Sequence, residues 1–147
     1  MNILNMSFTS IKAEKSSTPK GDINITNNVK LDSMQEAKMG LDKKNTALKI
    51  GYTYTTDYSP EFAKIEVKGE LIILEEAAKA SEIMKHWAKD KGKGLDPKFA
   101  AFVLTNIMKR CALEAIILAK ELSLPSPIPL PTINVGEEAP KKPAKKK

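Results

Sequence analysis

The sequence predicts an α+β protein: a four-stranded antiparallel β-meander followed by two C-terminal helices. Four segments in the first half alternate polar and apolar residues with a period of two, as strands buried on one face do. Short links join these segments, which favours pairing of consecutive strands. Two segments with helical spacing of apolar residues then follow, to about residue 122.

The four strand segments differ in regularity. The apolar faces of the second, third and fourth are Ile23, Ile25, Val29 and Leu31; Leu48, Ile50, Tyr52 and Tyr54; and Ala63, Ile65, Val67, Leu71 and Ile73. The first segment holds its phase to Phe8 and loses it by Ile11, which predicts a bulge near Thr9–Ser10. Because the opposite faces of the third and fourth segments are polar, only one side of the sheet needs covering.

Both helices have recognisable ends. The first is expected from Glu75 to about Lys91, where the stretch KGKG breaks it. Its apolar face is Ala77, Ala80, Ile83, Met84 and Trp87. The second begins with Asp96 as N-cap and Pro97 in the first turn.

The second helix carries more apolar surface than one sheet can cover. Between residues 99 and 122, 17 of 24 residues are apolar. A helix packed on one sheet face needs an apolar stripe of only about 100°. We therefore expect the surplus to be buried against another subunit or used in binding.

The chain ends in two unlike segments. In SLPSPIPLPTINV, residues 123 to 135, alternate prolines enforce an extended path, and the apolar residues between them predict a strap that lies on the protein. Five of the last seven residues are lysines, so 19 basic and 18 acidic residues leave residues 1 to 140 with a net charge of +1. We divide the chain into a domain, residues 1–135, and a disordered Lys/Pro-rich tail, residues 136–147.

Several classes of function are excluded or disfavoured by composition. One cysteine and one histidine, Cys111 and His86, exclude a disulfide framework and a histidine- or cysteine-rich metal site. We expect Cys111 to be a buried thiol and His86 an exposed helix residue. No pair of carboxylates is placed for acid–base catalysis, so neither an enzyme nor a cofactor is indicated. The N-terminus does not read as a signal peptide and no segment is a membrane span, which predicts a soluble, cytoplasmic protein.

The end of the second helix and the strap resemble the SecB family of export chaperones. The resemblance lies in AKELSLPSPIPLPTINV, where Pro127, Leu130, Pro131, Ile133 and Asn134 match the family's segment after its terminal helix. The order of four strands and two helices extends it, as a pattern, over residues 3 to 135. Typical members are acidic and end in a different tail, so the GEEAPKKPAKKK tail here does not match the element that engages the translocation motor.

The resemblance implies an ATP-independent holdase that binds non-native polypeptides in apolar grooves and acts before protein export. It also implies a homotetramer built as a dimer of dimers, through sheet edges and long helices. The loop of residues 89–99 would be a flap over the groove, or simply a solvated turn. The candidate polypeptide-binding residues are Tyr52, Tyr54, Tyr58, Phe62, Phe99, Phe102 and Val103, whose alternative role is ordinary core packing.

Two other functions stay open on the sequence. The lysine tail could serve a nucleic-acid-associated protein, although five lysines without an aromatic residue would bind weakly, and a solubilising tail is the simpler interpretation. Alternatively, the chain is an oligomeric scaffold whose surplus apolar surface is entirely consumed in assembly.

Overall fold

The computed structural model describes residues 2–16, 21–37, 44–60, 62–90 and 93–129. Four strands come first: β1 (Asn2–Lys15), β2 (Asn24–Ala37), β3 (Asn45–Ser59) and β4 (Ala63–Glu76). Two helices follow, α1 (Ala77–Asp90) and α2 (Pro97–Glu121). The predicted α+β class, with four antiparallel strands before two helices, is confirmed.

The order of the strands corrects the predicted meander. The sheet runs β1-β4-β3-β2, with every neighbouring pair antiparallel. Only β2, β3 and β4 form a meander, and β1 lies at the far edge beside β4. A short link does not force two strands to pair, since consecutive strands are neighbours only about two-thirds of the time. A period-two pattern fixes the face of each residue but not the neighbour of each strand.

Bulges adjust the phase of both edge strands. The predicted bulge in β1 is confirmed, because the β1–β4 register shifts between Phe8 and Ser10. A second shift in β1 lies between Ile3 and Asn5, and β2 has one between Leu31 and Ser33. These two additional shifts were not predicted.

One face of the sheet carries the core. The predicted inner residues of β3 are buried, as are those of β4 except the half-buried Ala63. Gly69 provides a close contact within this face, because a Cβ there would overlap the carbonyl oxygen of Ser7 and the hydroxyl of Tyr52. The Tyr52 ring can therefore lie over β4 only because residue 69 has no side chain.

Helix α1 begins two residues later than expected. Glu75 and Glu76 still pair with β3, so the sheet holds them and α1 starts at Ala77. Its predicted face is confirmed, with Ala80 and Ile83 buried and its other apolar members partly buried.

Helix α2 begins as predicted. Asp96 Oδ2 accepts a hydrogen bond from the backbone N–H of Phe99 at 3.1 Å, and Pro97 is the first residue of the helix. Its buried residues recur every fourth position: Phe99, Val103, Ile107, Cys111, Ala115 and Ala119. Among the described residues, no helix combines the length and apolar content needed to cross a membrane.

The first part of the predicted strap lies on the sheet. The hydroxyl of Tyr58 donates to the carbonyl oxygen of Pro125 at 2.7 Å, and the Asn27 side-chain amide donates to that of Pro127 at 3.0 Å. Leu124 and Pro127 are buried. After α2 the chain therefore crosses from β3 towards β2 on the helix-covered side. Residues 130–135 and the tail lie outside the described residues.

Candidate functional site

Most of the seven predicted polypeptide-binding residues are buried in the interior of the fold. Phe102 is half-buried, and the other six are at most 3% exposed. They pack between the sheet and the helices, which was the alternative role. Direct contact of these side chains with a polypeptide stays a prediction, and it would require the helices to move off the sheet.

Two tyrosines of β3, Tyr54 and Tyr58, make polar contacts beneath the strap, whereas the Tyr52 hydroxyl donates to the carbonyl oxygen of Ser7 in β1 at 3.3 Å. The hydroxyl of Tyr54 donates to Asn27 Oδ1 at 2.8 Å, and Thr56 Oγ1 lies 2.7 Å from the same oxygen. Burial raises the pKa of Tyr54, and burial together with the neighbouring Tyr54 raises the pKa of Tyr58 to about 12. Both hydroxyls therefore keep their protons to a higher pH than an ordinary tyrosine, whose pKa is 10.0. We call this side of α2, with Asn27, Tyr54, Thr56, Tyr58 and residues 123–129, the strap flank.

The opposite side of α2 is open. A groove of about 360 Å³ lies between α2 and the first half of β1. Its lining residues are Ile3, Leu4, Asn5, Met6, Asn106, Lys109, Arg110 and Leu113. We call it the β1–α2 groove.

Contacts between β1 and α2 continue beyond the groove. The Arg110 guanidinium carbon lies 5.8 Å from the centroid of the Phe8 ring. At the far end of β1, Lys15 Nζ donates to the carbonyl oxygen of Leu122 at 3.1 Å. Side chains of the two elements therefore meet from the groove to the end of α2.

The exposed apolar side chains of the described chain concentrate on these two elements. Leu113 is 64% exposed and Ile117 is 53% exposed. In the described part of the chain six large hydrophobic residues are exposed, and each belongs to β1 or α2: Ile3, Leu4, Ile11, Leu104, Leu113 and Ile117. The predicted apolar surplus of α2 is therefore present on its outer surface.

The groove adjoins a sheet edge. Within the described residues, β1 pairs with β4 on one side and with no strand on the other. Backbone N–H and C=O groups of an edge strand can hydrogen-bond an added strand. The arrangement thus offers apolar side chains and backbone hydrogen-bonding groups next to each other.

The inter-helix loop is anchored where it is described. The backbone N–H of Gly94 donates to Asp90 Oδ1 at 3.2 Å, and Leu95 is buried. Beside it, a cleft of about 360 Å³ between α1 and the start of α2 is lined by both acidic and basic residues, among them Glu75, Lys79 and Lys98. The anchored segment favours the turn interpretation, and the flap stays a prediction.

Of the two singular residues, Cys111 is buried as expected, whereas His86 is half-buried rather than fully exposed. Cys111 is buried, and burial raises the pKa of its thiol to about 12, so it is a thiol rather than a reactive thiolate at neutral pH. His86 lies on the surface of α1, with Nε2 3.9 Å from Glu82 Oε1. In the described part of the chain, no three His, Cys, Asp or Glu side chains are grouped so as to hold a metal ion.

Sequence reasoning missed the β1 half of the groove. It identified the apolar surplus of α2, including Leu113 and Ile117, but did not predict which element of the chain lies beside that surface. The missing information was the strand order, because a meander would have placed β1 beside β2. The β1–β4 pairing instead puts Ile3, Leu4 and Phe8 next to α2.

Comparisons with known proteins gave a structural match alone. No family model matches the sequence, and no curated protein matches it. Among solved structures, the chain is similar to a SecB-like chaperone of Mycobacterium tuberculosis in complex with a ChAD peptide from the HigA1 antitoxin. The match has 11% sequence identity and a TM-score of 0.49, and it covers 92% of each chain.

Proposed function

We infer that this protein is an ATP-independent holdase that keeps unfolded polypeptide segments from aggregating by binding them along the β1–α2 groove. The observation that carries the proposal is the concentration of exposed apolar side chains on β1 and α2, beside an unpaired sheet edge. Contiguous exposed apolar surface usually indicates binding.

The groove suits an extended segment. A strand added to β1 would gain backbone hydrogen bonds from the edge, and every second side chain would point towards α2. Apolar side chains at those positions would cover Leu4 and Leu113, whatever the rest of their sequence. Such recognition is broad, as a protein that binds many unfolded chains requires.

The oligomer belongs to the same proposal. The resemblance of the α2–strap segment to the SecB family favours a dimer of dimers, located in the cytoplasm and acting before export. A holdase must leave its groove accessible, so pairing of copies through β2, the other sheet edge, is the arrangement compatible with the proposal. The partner in the translocation machinery is left open by the tail sequence.

Suppression of aggregation tests the function directly. An unfolded client is diluted into buffer with the full-length protein, without nucleotide, and light scattering is followed. We expect suppression near one client per oligomer by the wild-type protein. Leu113→Gln should weaken it severalfold, because a polar side chain then interrupts the groove.

The matched control is Leu104→Gln. Leu104 is also an exposed leucine of α2, 37% exposed, but it does not line the groove. This variant should suppress aggregation as the wild type does. A well-folded wild-type protein that leaves scattering unchanged would refute the holdase function, and equal effects of the two substitutions would refute the groove as its site.

A further inference from the structure

The residues that line the β1–α2 groove carry charge of one sign. Lys109 and Arg110 are cationic, and none of the lining residues is acidic. The uncovered face of the sheet differs, since lysine and glutamate alternate along β4 and Lys49 Nζ lies 3.3 Å from Glu70 Oε2. A polypeptide in the groove therefore meets a locally positive, apolar surface.

Arg110 is singular in this chain. The sequence has 24 basic residues, and Arg110 is the only arginine, so the remaining 23 are lysines. An arginine offers a planar, forked set of N–H donors that matches a carboxylate, which a lysine cannot reproduce. The single arginine thus lies where a bound segment would pass.

The aromatic ring of Phe8 supports this guanidinium without neutralising it. The 5.8 Å distance between Arg110 and the ring centroid of Phe8 is within the range of a cation–π contact. Glu114 follows one helical turn later, yet no carboxylate of the described residues lies within ion-pair distance of Arg110. The guanidinium is held over an apolar floor and has no anionic partner in the described chain.

We propose that the β1–α2 groove selects extended apolar segments that contain an acidic side chain, and that Arg110 binds this carboxylate. The inference rests on the proposed function, because it names the class of polypeptide that the same groove would hold. A positive rim attracts carboxylates and repels lysine-rich segments, so specificity comes from charge while affinity comes from apolar contact.

Matched peptides test the proposal on the full-length protein. Two labelled ten-residue peptides of alternating leucine and threonine, both amidated at the C-terminus, differ only in a central Glu or Gln. Fluorescence anisotropy should show the Glu peptide binding about two- to fivefold more tightly, as an ion pair with the exposed Arg110 provides. Arg110→Gln should lower this ratio to about one by weakening the Glu peptide more than the Gln peptide, and Arg110→Lys should restore only part of it.

Each of the remaining outcomes would overturn one part of this proposal. Equal binding of the two peptides by the wild type would refute acidic selection while leaving the holdase function intact. If neither peptide binds, acidic selection and the holdase function are both refuted. If Lys109→Gln lowers the ratio of Glu-peptide to Gln-peptide affinity as much as Arg110→Gln does, the selection comes from the general positive charge of the groove and not from Arg110. If the Gln peptide with a free C-terminus binds like the Glu peptide, the groove accepts any carboxylate, and selection of an acidic side chain in particular is refuted.

Discussion

The two flanks of α2 face the same sheet but differ in what covers them. On the strap flank, residues 123–129 cross the sheet, and the polar side chains beneath are hydrogen-bonded to one another or to the strap. On the β1 flank, the described chain provides no such cover, and Leu113 and Ile117 remain exposed. One apolar helix therefore serves as core on one side and as accessible surface on the other.

The largest expected effect comes from comparing substitutions at two residues of α2. Ile107→Ala removes a fully buried side chain and should lower the free energy of unfolding by about 2–5 kcal/mol. Leu113→Ala shortens an exposed side chain and should change it by no more than about 0.5 kcal/mol. Urea denaturation of both variants gives the two values. A comparable loss in both would show that Leu113 is packed in solution and that the β1 flank is not open.

A smaller effect tests the closure of the strap flank. Asn27→Ala removes the partner of Tyr54, Thr56 and Pro127 together, and should cost about 1–3 kcal/mol because buried polar groups lose their hydrogen bonds. The neighbouring Asn28 is exposed, so Asn28→Ala is the control and should stay within about 0.5 kcal/mol. The same urea experiment measures both, and equal values would mean that the Asn27 network contributes nothing specific.

The third effect is a loss of stability that appears only at alkaline pH. The pKa of Tyr58 rises from 10.0 to about 12 on folding, so the folded state holds the proton more firmly. The stabilisation is complete below about pH 10 and is lost as the pH rises towards 12. The pKa values of Tyr52, Tyr54 and Cys111 are also raised by burial, so wild-type stability should fall over the same alkaline range.

Tyr58→Phe isolates one part of that loss. This variant keeps the ring but has no titrating hydroxyl, so its stability should decline less steeply above pH 10 than that of the wild type. Urea midpoints measured from pH 8 to pH 12 provide the comparison. Parallel curves for the two proteins would contradict the assignment of a raised pKa to Tyr58.

The sequence predicted the strap flank better than the β1 flank, for a physical reason. Alternation along β3 and β4, the Asp96–Pro97 helix start and the prolines of the strap are local signals, and each was confirmed where the chain is described. The groove depends on which strand neighbours β4, a long-range choice that no local pattern encodes. Phe8 and Arg110 lie 102 positions apart, and their contact follows only from the sheet order.

The bulges of β1 have a consequence for ordered self-assembly. An uninterrupted apolar edge is a template on which strands can stack into fibrils. Register shifts after Ile3 and after Phe8 divide this edge, so the longest regular stretch is Ser10–Lys15. At about 3.3 Å per residue, that stretch spans about 20 Å. The edge can thus accept a short strand while denying a fibril the long, straight register that its growth requires.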